Sequence, residues 1–243
     1  HEILQQALKN FKDRYQLVPS VISMPQIRAI QEVAAASGVV DLIWTMSTDE
    51  REAQMIPVRI PIDKGLIGWR IPLVTNDKRN IFSNIKSLTE LAAFSAGQGH
   101  DWPDTPILKH NGLRVHTSTS YESLFAMLEA GRFDYFPRSI FEIWKEVESH
   151  QGRNLHIEEN IILHYQSAYY FFVSPRRPQL AEDLRLGLEE MIANGSFEKI
   201  FQKHHHTSLK NANIKQRVVI ELHNPLLNPD RLPLNRDELW YRP

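Results

Sequence analysis

The chain has no cysteine, no long apolar run and almost no net charge. The lack of cysteine excludes disulfide bonds, thiolate zinc sites and cysteine nucleophiles, and it suits an oxidising compartment without requiring one. No apolar run approaches the roughly 20 residues that span a bilayer. A net charge of -1 gives no general attraction to nucleic acid or to an anionic membrane. The sequence also lacks a Gly-x-Ser-x-Gly elbow, a His-Glu-x-x-His motif and a phosphate-binding loop. These absences favour a binding protein over an enzyme.

Four pairs have the spacing of a capping box, in which Ser or Thr is followed three residues later by Glu at a helix start. They are Ser47/Glu50, Ser87/Glu90, Thr119/Glu122 and Ser139/Glu142. The first and last pairs follow apolar runs directly and have an arginine beside the cap, Arg51 and Arg138. Because a strand that leads into a capped helix presents backbone N–H groups next to the guanidinium, both places are predicted to bind anions.

Apolar patterning predicts strands that alternate with helices along most of the chain. Strands are predicted at 16–22, 40–45, 56–62, 66–74, 92–96, 113–116, 133–136 and 217–222, with two more within 155–173. Helices are predicted at 25–36, 121–130, 139–149 and 179–192, and near Ser87 and Pro103, with a turn at Gly97-Gln98-Gly99. Such alternation predicts an α/β protein with largely parallel sheets.

Three segments carry a resemblance to a known family. Asp41–Arg51 is a strand followed by Thr-x-x-Arg, Leu128–Asp134 reads Leu-x-x-Gly-Arg-x-Asp, and Leu188–Phe197 matches a closing helix. In this order they resemble the type II periplasmic solute-binding proteins, the polar amino-acid-binding superfamily served by ABC importers. Two further segments, Gly97–Asp104 and Phe136–Ser139, are similar to a branch other than the transporters of known substrate.

The resemblance implies a two-lobed α/β fold with mixed sheets flanked by helices and a ligand cleft between the lobes. Lobe 1 would comprise 1–76, lobe 2 would comprise 77–166, and 167–243 would return to lobe 1 and add a C-terminal tail. The implied protein is a periplasmic monomer whose signal peptide has been removed. It would capture a polar, carboxylate-bearing solute, an amino acid or organic anion, by lobe closure and pass it to a membrane permease. The alternatives are a ligand-sensing domain of a signalling system and a dehydratase-like enzyme. No nucleic acid partner and no cofactor are expected.

In lobe 1 the resemblance aligns Arg51 with the arginine that binds the ligand's carboxylate. The alternative is a surface arginine bonded to Glu50, to Glu52 or to another residue of its helix. Ser47 and Thr48 are expected either to cap the helix or to donate to the ligand. Further candidates are Arg70, which is otherwise a surface arginine, and Trp44, for which a core position competes with stacking on the ligand.

In lobe 2 the candidates are His100, Asp101, Trp102, Arg138 and Ser139. Asp101 could instead cap the next helix, Trp102 could be a core aromatic, and Arg138 could pair with Glu142. Two arginines favour an anionic solute, or an amino acid whose ammonium group meets Asp101.

Two other sets of polar residues are predicted to be structural. Asp134 is expected to bond to backbone or to an arginine. The consecutive histidines His204-His205-His206 are expected to be solvated at a helix end rather than to hold a metal, because adjacent side chains on a helix point in different directions.

Overall fold

The computed structural model describes all 243 residues, and the chain divides into two compact units. Unit 1 consists of 1–65, 168–206 and 227–240, and unit 2 consists of 66–167, 207–226 and 241–243. The lobe boundaries expected from the sequence, 1–76, 77–166 and 167–243, stay a prediction.

The chain forms nine α-helices and ten strands. The helices are α1 (Glu2–Ala7), α2 (Gln26–Ala34), α3 (Asp49–Gln54), α4 (Leu88–Leu91), α5 (Asp104–His110), α6 (Tyr121–Glu129), α7 (Ile143–Ser149), α8 (Pro178–Ala193) and α9 (Ser196–Ala212). The strands are β1 (Leu42–Met46), β2 (Ile56–Val58), β3 (Trp69–Val74), β4 (Ser95–Gly99), β5 (Arg114–Ser118), β6 (Phe136–Ser139), β7 (His156–Ile157), β8 (Ile161–His164), β9 (Tyr169–Val173) and β10 (Val218–Glu221). No helix is both long enough and apolar enough to cross a membrane.

Unit 1 is built on a three-stranded sheet in the order β1-β9-β2. The central strand β9 reads Tyr-Tyr-Phe-Phe-Val and is almost wholly buried, and both neighbours run antiparallel to it. Helix α8 buries side chains at the three- and four-residue spacing of one helical face, including Leu180, Leu184 and Leu188. Helix α1 packs so closely on α8 that a Cβ atom at Gly187 would lie 1.8 Å from the carbonyl oxygen of Ala7.

The C-terminal segment of unit 1 completes its core. Leu227, Leu232, Leu239 and Trp240 are buried in the same apolar cluster as α8 and β9. The indole N–H of Trp240 donates to the carbonyl oxygen of Pro233 over 2.9 Å, so the one polar atom of this side chain is satisfied.

Unit 2 is built on a larger sheet in the order β10-β8-β3-β6, with β7 also paired to β3. Every residue of β3 is buried, as expected for a central strand. Strand β3 runs antiparallel to β6, β7 and β8, whereas β10 runs parallel to β8. A separate pair, β4 and β5, is parallel. Both units therefore contain mostly antiparallel pairs, and the prediction of largely parallel sheets is wrong, while the mixed α/β class is confirmed.

Two local predictions are wrong because contacts with residues that are distant in the sequence determine the conformation of these segments. Segment 16–22 forms no strand, since no other strand pairs with it, and Val21 is 95% exposed. Gly97-Gln98-Gly99 is not a turn but the buried end of β4. A Cβ atom at Gly97 would lie 2.1 Å from the Phe133 ring, so glycine is required there for close packing rather than for a turn.

Only one of the four predicted capping boxes forms, at Ser87 and Glu90. Helix α3 is capped by Thr48 instead of Ser47, and α6 is capped by Ser120 instead of Thr119. Ser139 lies inside β6, and α7 begins four residues later at Ile143. The fourth prediction fails because the chain continues as a strand beside β3 before it turns into the helix.

Candidate functional site

In unit 1, Arg51 lies on α3 and turns back toward the end of β1. Its Nη1 donates to the Thr45 hydroxyl over 2.9 Å and to the carbonyl oxygen of Met46 over 2.8 Å. The Thr48 hydroxyl accepts from the Arg51 backbone N–H over 3.2 Å, which fixes the start of the helix. The guanidinium is thus oriented by neutral oxygens from the last two residues of a strand.

Glu52, the acidic residue that follows Arg51 in the sequence, bonds to Ser47 and Arg59. Glu52 has a fully buried side chain and accepts from the Ser47 hydroxyl over 2.7 Å. Its other oxygen accepts from Arg59, at 3.1 Å to Nε and 2.7 Å to Nη2. Ser47 is itself buried, so its hydroxyl positions Glu52 and does not cap the helix. Glu52 therefore pairs with Arg59.

Trp44 lies on β1 and is 45% exposed. Its ring meets the Phe171 ring edge-on, with 6.3 Å between centroids. The core position favoured for Trp44 is wrong, because nearly half of the side chain is exposed.

In unit 2, Arg70 is buried in the middle of an ion-pair network and is not a surface arginine. Its Nη2 lies 2.7 Å from Asp104 Oδ1, and its Nε donates to the Tyr165 hydroxyl over 2.8 Å. The Tyr165 hydroxyl in turn donates to Asp104. Burial alone would lower the pKa of the Arg70 guanidinium, but the Asp104 carboxylate outweighs it, and the pKa lies above its ordinary value.

Arg138, on β6, is also buried and is paired with two carboxylates of its own unit. Its Nε and Nη2 lie 2.5–3.0 Å from the oxygens of Glu146. Its Nη2 also lies 3.1 Å from Glu142, which in turn lies 3.5 Å from Arg70 Nη1. Burial would lower the pKa of the Arg138 guanidinium, but Glu142 and Glu146 raise it above its ordinary value. The sequence alternative of an Arg138–Glu142 pair is therefore present in the structure.

Aromatic rings surround the Arg138 guanidinium. Its Cζ lies 4.8 Å from the Trp102 ring centroid, 4.9 Å from Phe136 and 5.7 Å from Tyr121. The Tyr121 hydroxyl donates to Glu146 over 2.8 Å. Burial, and then the Glu146 carboxylate, raise the pKa of Tyr121.

The remaining candidates of unit 2 lie outside this network. His100 and Asp101 are exposed in the connection between β4 and α5. Asp101 does not cap α5, which begins at Asp104 without a side-chain cap. The Ser139 hydroxyl is buried and donates to the carbonyl oxygen of Leu66 over 3.3 Å.

The sequence analysis missed three residues that contact these arginines: Asp104, Glu146 and Tyr121. Glu146 had a usable signal, because Glu142 and Glu146 stand four and eight residues after Arg138 and such spacing places two acids on one helical face. Asp104 had none, since it meets Arg70 through packing of distant segments.

Asp134 and the consecutive histidines 204–206 were predicted to have structural roles. Asp134 accepts from the Ser95 backbone N–H over 2.9 Å and from Lys78 Nζ over 2.9 Å, which confirms a structural carboxylate with lysine in place of arginine. The consecutive histidines 204–206 lie within α9, which continues to Ala212, so the predicted position at a helix end is wrong, although His204 and His206 are exposed. His204 contacts Glu2 over 2.7 Å. No group of three or more His, Cys, Asp or Glu side chains is arranged to hold a metal ion.

Comparison with solved structures identifies the fold. An ancestral arginine-binding protein bound to arginine superposes with a TM-score of 0.61 at 20% identity, covering 84% of this chain and 85% of the other. The substrate-binding protein AbpA of an amino acid ABC transporter from Streptococcus pneumoniae, bound to L-arginine, gives a TM-score of 0.59 at 16% identity over 85% and 83%. Another substrate-binding protein of an amino acid ABC transporter gives 0.59 at 15% identity over 84% and 85%.

The chain has the type II periplasmic binding fold. No protein-family model matches the sequence, and neither does any curated protein sequence. The type II periplasmic binding fold predicted from the three short motifs is confirmed over most of the chain, although sequence identity to these structures is only 15–20%.

Proposed function

We propose that this protein binds a small carboxylate-bearing solute, of the amino-acid class, outside the cytoplasm and delivers it to the permease of an ABC importer. The fold supports this proposal, because proteins of the same fold include substrate-binding proteins of amino acid ABC transporters. Two of these similar structures contain arginine. Binding is stoichiometric, without turnover of the solute.

The observation that carries the proposal is the orientation of Arg51. A planar guanidinium held by Thr45 and by the Met46 carbonyl oxygen beyond the end of β1 is pre-oriented for a carboxylate. Arg51 faces the carboxyl end of β1, next to the start of α3. Arg70 and Arg138 have carboxylate partners within unit 2, and the carboxylate of the solute is assigned to Arg51.

The test is a thermal-shift and calorimetric screen of amino acids, dicarboxylates and other small anions. A solute at a hundred times its dissociation constant stabilises the native state by about 2.7 kcal/mol. For the best solute, Arg51→Ala is expected to weaken binding by about 10- to 150-fold, the equivalent of one charge-assisted hydrogen bond or bidentate pair.

Arg28→Ala is the matched control, because Arg28 is an exposed arginine of the same unit. This variant is expected to keep full affinity. An Arg51→Ala variant that binds the solute as tightly as the unchanged protein contradicts the carboxylate assignment. A screen in which no amino acid or small anion binds contradicts the proposed function.

A further inference from the structure

The end of β6 has the components of a cation-binding site, and its occupant is a side chain of the same unit. Three rings lie within 6 Å of the Arg138 Cζ atom, those of Trp102, Phe136 and Tyr121. The faces of aromatic rings attract cations, most strongly where water is excluded. Arg138 is 5% exposed, so water is largely excluded from this site.

Two walls of this site, the Trp102 and Phe136 rings, are held by contacts that do not include Arg138. A Cβ atom at Gly99 would lie 2.4 Å from the Trp102 ring, so this ring lies flat against the backbone of β4. The Trp102 ring is also nearly parallel to Phe136, at 17°. The Tyr121 ring is fixed by its hydrogen bond to Glu146 and packs edge-on against Phe125.

The carboxylates select a planar fork rather than a point charge. Glu146 receives both Nε and Nη2 of Arg138, the bidentate geometry that an ammonium group cannot reproduce. Glu142 adds a second carboxylate at 3.1 Å. The chemical class that fits rings and carboxylates together is therefore a guanidinium.

The charge balance makes the occupant necessary. Three carboxylates, Asp104, Glu142 and Glu146, face two guanidinium groups, Arg70 and Arg138. If the Arg138 side chain were absent, three negative charges would face one positive charge, a net charge of -2 at a mostly buried place where only Glu142 is as much as 32% exposed. An external cation of the right shape would then be strongly attracted.

We propose that the end of β6 is a guanidinium-recognition site that Arg138 holds closed, and that the identity of residue 138 decides whether unit 2 takes up an external guanidinium compound. The Arg51 assignment does not enter this argument, so either proposal can fail without the other.

The experiment is rescue of Arg138→Ala by methylguanidinium, followed as the melting temperature at roughly 1–20 mM, because so small a ligand is expected to bind with a dissociation constant on the order of 1 mM. The variant is expected to melt lower than the unchanged protein and to regain at least half of the loss in a saturable manner. The unchanged protein is expected to show no such rise, because its site is occupied. Arg138→Lys, which retains a charge and packs more readily, serves if the alanine variant does not fold, and it is expected to respond weakly.

Arg153→Ala is the matched control, since Arg153 forms a partly exposed pair with Glu129 in unit 2 and has no ring beside it. Methylguanidinium is expected to leave this variant unchanged, and tetramethylammonium or potassium chloride is expected to leave Arg138→Ala unchanged. The proposal is overturned if methylguanidinium does not raise the melting temperature of Arg138→Ala, if the simple salts raise it equally, or if Arg153→Ala responds as strongly.

Discussion

Each unit has an arginine near the end of a strand, but the two arginines have different neighbours. In unit 1, Arg51 Nη1 donates to two neutral oxygens, and the nearby carboxylate of Glu52 is taken by Arg59. In unit 2, Arg138 is bound by the carboxylates of Glu142 and Glu146. In the sequence both arginines have the same setting, an apolar run and a capping pattern. The comparison teaches that the number of arginines does not predict the charge of a ligand, because the protein's own acids can neutralise them.

The difference follows from the residues that come after each arginine. Positions four and eight residues beyond Arg138 are Glu142 and Glu146, on one face of the α7 segment, whereas the same positions beyond Arg51 are Met55 and Arg59. The chain turns from β6 into α7 after Arg138, and Glu142 and Glu146 reach back to its guanidinium. Unit 2 therefore contains an internal ion-pair network, whereas in unit 1 the Arg51 guanidinium donates to Thr45 and Met46 at the end of β1.

The largest expected effect is that of breaking the network in unit 2. Glu146→Gln leaves the buried Arg138 without its bidentate partner, which costs about 3–5 kcal/mol and lowers the melting temperature by roughly 6–20 °C. Glu148→Gln, at an exposed position of the same helix, is expected to change nothing measurable. The measurement is calorimetric or fluorescence melting at neutral pH.

The double variant Arg138→Met with Glu146→Leu sharpens this prediction. It removes both charges at once, so most of the lost stability is expected to return. If the double variant is as unstable as Glu146→Gln, the loss of stability comes from disturbed packing of the rings and the helix, and not from the unpaired charge of Arg138.

The corresponding change in unit 1 is expected to cost less. Glu52→Gln weakens the bonds to Arg59, but Arg59 is half exposed and keeps its hydration when the charge of its partner is lost. The expected loss is about 1–2 kcal/mol, measured as above. If Glu52→Gln destabilises the protein as much as Glu146→Gln does, the greater exposure of Arg59 compared with Arg138 does not make its ion pair less costly to break.

Sequence patterns predicted the elements whose side chains repeat within one segment. Helices α6 and α8 and strand β10 occur close to the predicted ranges, because their apolar periodicity is local. The sequence predictions are wrong where contacts with distant residues determine the local structure. Gly97 lies in a strand because β4 pairs with the distant β5, and 16–22 is irregular because no strand pairs with it. The same limit applies to the site: the Arg138–Glu142 pair is local and was among the alternatives, while the contact of Arg70 with Asp104 depends on the packing of β3 against α5.

The smallest expected effect tests whether burial, rather than pairing alone, makes the Arg138 network costly to break. Asp134, also in unit 2, bonds to Ser95 and Lys78 but is partly exposed. Burial would raise its pKa, yet the hydrogen bonds from Ser95 and the contact with Lys78 lower it below the ordinary 3.8. A lowered pKa means that the ionised form stabilises the fold above about pH 4 and that this stabilisation is lost as the pH falls through the lowered value.

Asp134→Asn is therefore expected to cost about 1 kcal/mol at neutral pH and nothing at strongly acidic pH. Melting curves of both proteins between neutral and acidic pH should converge toward the acid end, with Asp101→Asn, at an exposed loop position, as the control that follows the unchanged protein throughout. If the melting temperatures of the two proteins differ by the same amount at every pH, Asp134 acts through packing rather than through its charge. If Asp134→Asn lowers the melting temperature as much as Glu146→Gln does, burial does not explain why the two carboxylates differ.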